Sequence, residues 1–321
     1  MNTNNYISAN SMPLKVMKYI PDCKDGIQPI HLQLCPTNKC NLNCDFCSCS
    51  SVERTQELSR TDLLSINLAC FGLGIKAITI TGGGEPTIHP DIDEFITDAN
   101  SYDIKLGLTT NGLALKNLKP DTFDCLTWCR ISFDSSRKFD AHFIDQLKYA
   151  MDNGRNVDWA FSYVVTANEN NIENMIKIVD FANANDFTHV RFVPDLYDID
   201  NVDMKAIEEL LSKHIDTSRC IFQNRQAYTK GSKSCSISLL KPMIAPDGYI
   251  YPCCGVQYAL KGDDKQRMFP KEMRMGHYLE LPFIIKDQKK YDGSTCVKCY
   301  YENYNTLLNA LETNYDHQEF V

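Results

Sequence analysis

Four cysteines fall within the ten residues CNLNCDFCSC, at Cys40, Cys44, Cys47 and Cys49. The first three have the spacing Cys-x3-Cys-x2-Cys. Three thiolates on one short loop can occupy three corners of an iron–sulfur cubane, leaving the fourth iron open to a small molecule. A structural zinc site asks instead for four ligands in a closed tetrahedron. Cys35 and Cys49 are the nearby thiols available as a fourth ligand, although one loop cannot easily wrap all five. Disulfides are the third possibility. The fifteen cysteines are an odd number, and MNTNNYISANSMPLKVMKYIP lacks the basic and apolar segments of a secretory signal. A reducing, cytoplasmic setting is expected, in which clustered cysteines act as metal ligands and scattered ones as small buried hydrophobes.

Two further groups could do chemistry. TGGGEP, Thr81–Pro86, combines three glycines with a carboxylate. Glycines at the end of a strand let backbone approach a ligand closely, and Glu85 could accept hydrogen bonds from an ammonium group. Alone, the same residues also suit a plain turn. Near the C-terminus, Cys235, Cys253, Cys296 and Cys299 could bring four thiolates together around zinc or a fully ligated 4Fe–4S cluster. Cys254 is the rival of Cys253.

Positioning these groups requires a scaffold. Apolar runs at Ile30–Leu34, Ala77–Thr81, Lys105–Thr109, Cys129–Phe133, Trp159–Val165 and His189–Val193 predict six strands. Amphipathic segments from Ser59 to Gly72, Asp91–Tyr102, Leu115–Leu126, Lys138–Asn153 and Asn170–Asn185 predict the intervening helices, and Met204–His214 one more. Repeated βαβ units imply a parallel sheet with right-handed crossovers. Six units are too few for a closed eight-stranded barrel, so the expected fold is α/β, an open partial (β/α)6 barrel with a small irregular C-terminal extension. Both the cysteine loop and the glycine turn would follow strands at their carboxyl ends, where open α/β sheets bind ligands. Asp247-Gly248 between apolar runs predicts a hairpin. The irregular stretch around it shows little periodicity, so a metal is expected to hold it.

Together, Cys40, Cys44 and Cys47, the aromatic Phe46 and Gly82-Gly83-Gly84-Glu85-Pro86 resemble the radical S-adenosylmethionine (SAM) superfamily. TTNG (Thr109–Gly112), RISFD (Arg130–Asp134) and HVRFVP (His189–Pro194) add to a resemblance covering roughly residues 28–195. It implies a 4Fe–4S cluster on the three thiolates, with its open iron chelated by SAM. One electron then cleaves a carbon–sulfur bond and gives a 5′-deoxyadenosyl radical that takes a substrate hydrogen. By the same resemblance Gly82, Gly83, Gly84 and Glu85 bind the methionyl ammonium, and the Phe46 backbone contacts adenine. Ser132 and Asp134 lie near the ribose or carboxylate, and Arg191 pairs with a carboxylate. As plain structure, Ser132 and Asp134 are equally helix caps and Arg191 a salt-bridge partner.

The C-terminal cysteines resemble the Twitch extension, the shortened relative of the SPASM domain, which implies one auxiliary 4Fe–4S cluster. The Gly248-x4-Cys253 spacing favours Cys253. The expected division is an N-terminal extension at 1–27, a radical SAM core at 28–215 and an auxiliary-cluster domain at 216–321. A cluster with four thiolates has no open iron and would move electrons, which suits a net oxidation. The spacing resembles that of an inosamine dehydrogenase. A maturase acting on a ribosomally made peptide is the first alternative, although no peptide-recognition domain fits before residue 28. A zinc-stabilised, non-catalytic adapter is the second. Expected partners are a small-molecule or peptide substrate and an external electron donor such as flavodoxin or ferredoxin. The net charge of −8 argues against a nucleic-acid partner, and no apolar run approaches the roughly 20 residues of a membrane span.

Overall fold

The computed structural model describes residues 15–19, 26–167, 172–223, 229–259 and 268–312. Most of the expected N-terminal extension, Cys23, the first two residues of the helix expected from Asn170, and parts of the C-terminal stretch lie outside these residues.

One ten-stranded sheet forms the centre. Its strands are β1 (His31–Leu34), β2 (Ala77–Ile80), β3 (Lys105–Thr110), β4 (Leu126–Asp134) and β5 (Asp158–Val165), then β6 (His189–Pro194), β7 (Cys220–Phe222), β8 (Met243–Ile244), β9 (Tyr249–Tyr251) and β10 (Gly276–His277). The order is β10-β9-β8-β1-β2-β3-β4-β5-β6-β7. From β8 through β1 to β7 all pairings are parallel; β9 and β10 add antiparallel strands at one edge. The two outermost strands do not pair with each other, so the barrel is partial. The six expected strands are all present. The parallel run is nevertheless longer than six, because β7 and β8 extend it on either side. Three and two residues long, these strands are too short to show an alternating pattern.

Helices α1 (Arg60–Gly72), α2 (Ile92–Ser101), α3 (Pro120–Asp124), α4 (Ala141–Asn153), α5 (Glu173–Ala184) and α6 (Met204–Leu211) follow successive strands. Ser59 starts α1 with a reciprocal cap: its Oγ accepts from Asp62 N at 3.2 Å, while Asp62 Oδ2 accepts from Ser59 N at 2.9 Å. The helical segment expected over 115–126 divides into a short turn at Leu115–Asn117 and α3, which begins at Pro120, because proline suits the first helical position and not an interior one. Strand residues alternate between two faces. Phe133 turns outward onto α4, its ring 5.1 Å from that of Phe143, so Ser132 and Asp134 face the barrel interior. Ser132, Ser162 and Arg191 are aligned across β4, β5 and β6 in a single register row.

Beyond residue 215 the sequence suggested little core, and the structure corrects this. Ile237, Leu239, Ile244, Ile250, Leu281, Ile284 and Leu308 belong to the same buried cluster as Leu32, Ile80 and Phe95. Burying such a side chain contributes roughly 1.5–3 kcal/mol, so this segment is held by apolar contact as well as by β8 pairing with β1. The helical pieces Leu281–Lys286 and Glu302–Leu311 carry part of it.

Candidate active site

The cysteine loop leaves the end of β1 and is sewn to the glycine turn that leaves β2. Gly84 N donates to Thr37 O at 2.9 Å and Glu85 N to Lys39 O at 2.7 Å. The turn has no room for side chains: a Cβ on Gly84 would lie 1.9 Å from Lys39 O, one on Gly83 1.9 Å from Asn38 Oδ1, and one on Gly82 1.9 Å from Gly84 O. Gly83 and Gly84 therefore let the two loops touch, and Gly82 lets the turn fold back on itself. Cys40, Cys44 and Cys47 are half-buried on this loop, and Phe46 is half-buried between the last two. Burial pushes the Cys44 thiol up to about 11, with Asp134, Cys47 and Cys40 adding and Arg137 opposing. Burial raises Cys40 as well, with Glu85 and Cys47 contributing in the same direction.

Glu85 is only 2% exposed. Its Oε1 accepts from Thr87 N at 3.0 Å, Thr87 Oγ1 at 2.7 Å and Thr110 Oγ1 at 2.6 Å, and its Oε2 accepts from Asn111 N at 2.6 Å. A carboxylate has about four lone-pair positions, two on each oxygen, and Oε2 accepts a single donor among the described residues. Asn111 also donates its Nδ2 to Asn41 Oδ1 at 2.7 Å, between Cys40 and Cys44. The TTNG segment thus braces the cysteine loop through Glu85 on one side and Asn41 on the other.

Of the other expected site residues, Asp134 is 3% exposed and caps the next turn through Ser136 N at 2.9 Å. Ser132 offers its carbonyl to Arg137. Arg191 donates from Nη2 to Ser162 Oγ at 2.9 Å. Arg137 itself, three residues past β4, was not singled out from the sequence, because SSRK after a strand reads as a solvated loop.

The residues fit the expected cofactor pair on two observations. Asn38 Oδ1 is a buried acceptor with no hydrogen-bond partner among the described residues, lying against the side-chain-free face of Gly83; an ammonium group would supply the donor it lacks. Beside it, three half-buried thiols share one short loop. Among the described residues no three side chains of His, Cys, Asp or Glu stand close enough to share one metal ion. That concerns single-ion sites, since a cubane takes each thiolate on a different iron.

Comparison with known proteins assigns part of the chain. Residues 34–182 match the model of the "Radical SAM superfamily". These residues are a radical SAM domain. A GTP 3′,8-cyclase of Aliarcobacter butzleri is 37% identical over 123 residues, covering 36% of this chain and 38% of that protein. One of Staphylococcus aureus is 32% identical over 151 residues, covering 43% and 42%. The chain spans about two fifths of the length of these relatives. Among solved structures, Streptococcus suis SuiB bound to S-adenosylmethionine superposes with a TM-score of 0.60 at 20% identity, over 87% of this chain and 71% of that one. Native anSMEcpe with bound AdoMet gives 0.53 at 16%, over 82% and 83%. These two likenesses show a shared fold.

The C-terminal thiols gather beside the radical SAM domain. Gly231 N donates to Cys296 O at 2.8 Å, Cys299 N to Thr229 O at 2.7 Å and Cys235 N to Tyr291 O at 3.1 Å, joining residues 229–235 to residues 291–299. Burial raises Cys253, with Cys254, Cys235 and Cys296 adding. Burial also takes Cys296 to about 12, with Cys299 and Cys235 adding, and Cys299 to about 11, with Cys235 adding. Cys253 Sγ receives Gly255 N–H at 3.3 Å, whereas Cys254 Sγ lies 3.2 Å from Tyr301 Oη. Gln257 Nε2 reaches back to Ser48 Oγ on the cysteine loop at 3.2 Å. The remaining described cysteines are scattered: Cys35, Cys49, Cys70 and Cys129 are buried, Cys125 and Cys220 half-buried. No helix among the described residues is long and apolar enough to cross a membrane.

Proposed function

We propose that this chain is a radical SAM oxidoreductase in which a second 4Fe–4S cluster, on Cys235, Cys253, Cys296 and Cys299, accepts the electron left on a substrate after hydrogen abstraction. The mutual influence of those four thiols, with Gln257 reaching Ser48 on the cysteine loop, supports the reading. When bound, SAM and the first cluster supply reductive carbon–sulfur cleavage and a carbon radical. Cys40, Cys44 and Cys47 would hold the first cluster. The Gly82–Glu85 turn and Asn38 would receive the methionyl ammonium, the Phe46 backbone the adenine, and Ser132, Asp134 and Arg191 the ribose or carboxylate from the barrel interior. With four protein thiolates the second cluster offers substrate no open iron, so its role is outer-sphere electron transfer. The radical SAM core would run over 28–215 and the auxiliary-cluster domain over 216–321. Flavodoxin or ferredoxin would deliver the first electron.

The runner-up is a peptide maturase, supported by the likeness to SuiB, which has been crystallised with its precursor peptide SuiA (TM-score 0.54, 18% identity). The GTP 3′,8-cyclase matches cover fewer than half of this chain's residues, so they bear on SAM binding more than on substrate. The test is metal content and substrate range. Anaerobically reconstituted protein is expected to hold about eight irons as two 4Fe–4S clusters. Replacing Cys40, Cys44 and Cys47 together with Ala should leave the C-terminal four. Tightly bound zinc at the C-terminal site of natively purified protein would overturn the reading, and consumption of GTP by loaded protein would replace oxidation with cyclisation.

A further inference from the structure

Arg137 stands outside the site anticipated from the sequence, yet its guanidinium is fixed at the ends of two strands that carry that site. Nη1 donates to Ser132 O and Nη2 to Asn111 O at 2.7 Å, the carbonyls at the ends of β4 and β3. The guanidinium carbon lies 4.5 Å from the ring centroid of Phe133 and 5.0 Å from that of Phe143. Asn174 Nδ2 holds the Arg137 carbonyl at 2.9 Å.

Among the described residues no carboxylate lies within 4.0 Å of this cation. A buried charge held by neutral carbonyls alone is costly. Burial weakens the hold of Arg137 on its proton; Asp134 and Glu85 oppose this, and Cys44 and Cys40 would do so once they are thiolates, as cluster ligands are. Two of these four are thiols of the cluster loop. The same loop is tied to Arg137 from its other side, because Asn111, whose carbonyl takes Nη2, donates its side-chain amide to Asn41. Arg137 is therefore joined, through Asn111, to the residue that follows Cys40, where negative charge on the cysteine loop would act on it.

We infer that Arg137 is the fixed counter-cation of the first cluster and raises its reduction potential, with Asp134 opposing it. This rests on the reading of Cys40, Cys44 and Cys47 as cluster ligands. Reduction moves one electron from an external donor onto the cluster and transfers no proton, so the cluster and its three thiolates gain one negative charge. A cation held nearby favours the reduced state, and a carboxylate disfavours it.

The experiment is a potentiometric titration of iron-loaded full-length protein without SAM, followed by electron paramagnetic resonance of the first cluster. Arg137→Gln should disfavour reduction by at least about tenfold, or about 59 mV for a one-electron couple. Arg137→Lys should restore part of the loss. Asp134→Asn, which keeps an acceptor for Ser136, should shift the potential upward. A change under about twofold for Arg137→Gln, or shifts of the same sign for the two neutralising variants, overturns the inference. If Arg137→Gln fails to take up iron, Asp134→Asn decides alone, and the absence of an upward shift overturns it. A wild-type chain that loads no cluster on Cys40, Cys44 and Cys47 fails at the earlier step, the ligand reading itself.

Discussion

Glu85 Oε2 accepts the backbone N–H of Asn111 at 2.6 Å, a bond that joins the turn after β2 to the turn after β3. The carboxylate is buried and also serves Thr87 and Thr110. Glu85→Ala would strand several buried donors at once. The expected loss is on the order of 3 kcal/mol or more, since each stranded donor costs about 1–3 kcal/mol. Urea unfolding of the iron-free chain measures this without involving the cofactor. A loss below about 1 kcal/mol would show that the network relaxes freely. Weakened SAM binding in the same variant is expected to follow, because Asn111 braces the loop that carries the cysteines.

Gly84 makes a narrower point. Its Cβ position lies 1.9 Å from Lys39 O, and backbone at both ends leaves nothing flexible to yield. Gly84→Ala should separate the turn from the cysteine loop and break the Gly84 N to Thr37 O bond. The measurement is iron per chain after reconstitution: about four atoms should be lost, with the C-terminal cluster retained. Full iron content would mean that the two loops need not touch.

Much of the scaffold is legible in the sequence because its signals are local. Alternating apolar residues mark β4 and β5, Ser59 and Asp62 mark the start of α1, and Asp247-Gly248 marks the turn between β8 and β9. What the sequence hides is set by distant contacts. β7 and β8 are strands because a neighbouring edge accepts them, not because three or two residues have a preference. Leu281–Lys286 contains Pro282 and is short, so its buried face emerges only against the sheet. At the site, the thiols and the glycine turn were legible by type and spacing. Arg137 was not, because what distinguishes it is the pair of carbonyls, Ser132 O and Asn111 O, that the fold brings to it.

The thiols also predict a pH response. The ordinary thiol value is 9.0, and in the folded chain burial takes Cys44 and Cys299 to about 11 and Cys296 to about 12. Below pH 9 these thiols are protonated in both folded and unfolded chains. Above it the unfolded chain releases protons first, so folded stability falls as pH rises from about 9 to about 11–12. All three are partly solvated, so the effect is smaller than isolated burial suggests. Urea midpoints of iron-free protein should decline across this window. Iron-loaded protein should decline less, because ligating thiolates carry no proton to lose, whereas Cys49, Cys70, Cys129 and Cys220, also raised by burial, still do. Parallel declines in both forms would remove these cysteines from the ligand set.

Cys253 and Cys254 should differ sharply despite being adjacent. Cys253 shares its surroundings with Cys235 and Cys296, while Cys254 Sγ is engaged with Tyr301 Oη. Cys253→Ser should therefore lose most of the auxiliary iron and Cys254→Ser should keep it. Iron and sulfide analysis on the two variants decides the matter, and the opposite result would exchange their roles.

The last prediction separates electron transfer from scaffolding. If the C-terminal cluster only stapled its segment, Cys296→Ala with Cys299→Ala would unfold that segment and abolish all chemistry. The structure argues otherwise. β8 pairs with β1, Ile30 N donates to Leu240 O at 3.0 Å, and Leu281, Ile284 and Leu308 are buried in the main core. These contacts do not pass through the thiols. The double variant should keep its circular dichroism and its first cluster. With dithionite it should still release 5′-deoxyadenosine, because SAM cleavage needs only the first cluster. Oxidised product should disappear, because the substrate radical would have lost its electron acceptor. Electron paramagnetic resonance of the auxiliary cluster, in protein lacking the first, supplies the complementary check. Hyperfine coupling from an isotopically labelled substrate bonded to iron would force a ligating role, whereas its absence together with lost turnover fits outer-sphere oxidation.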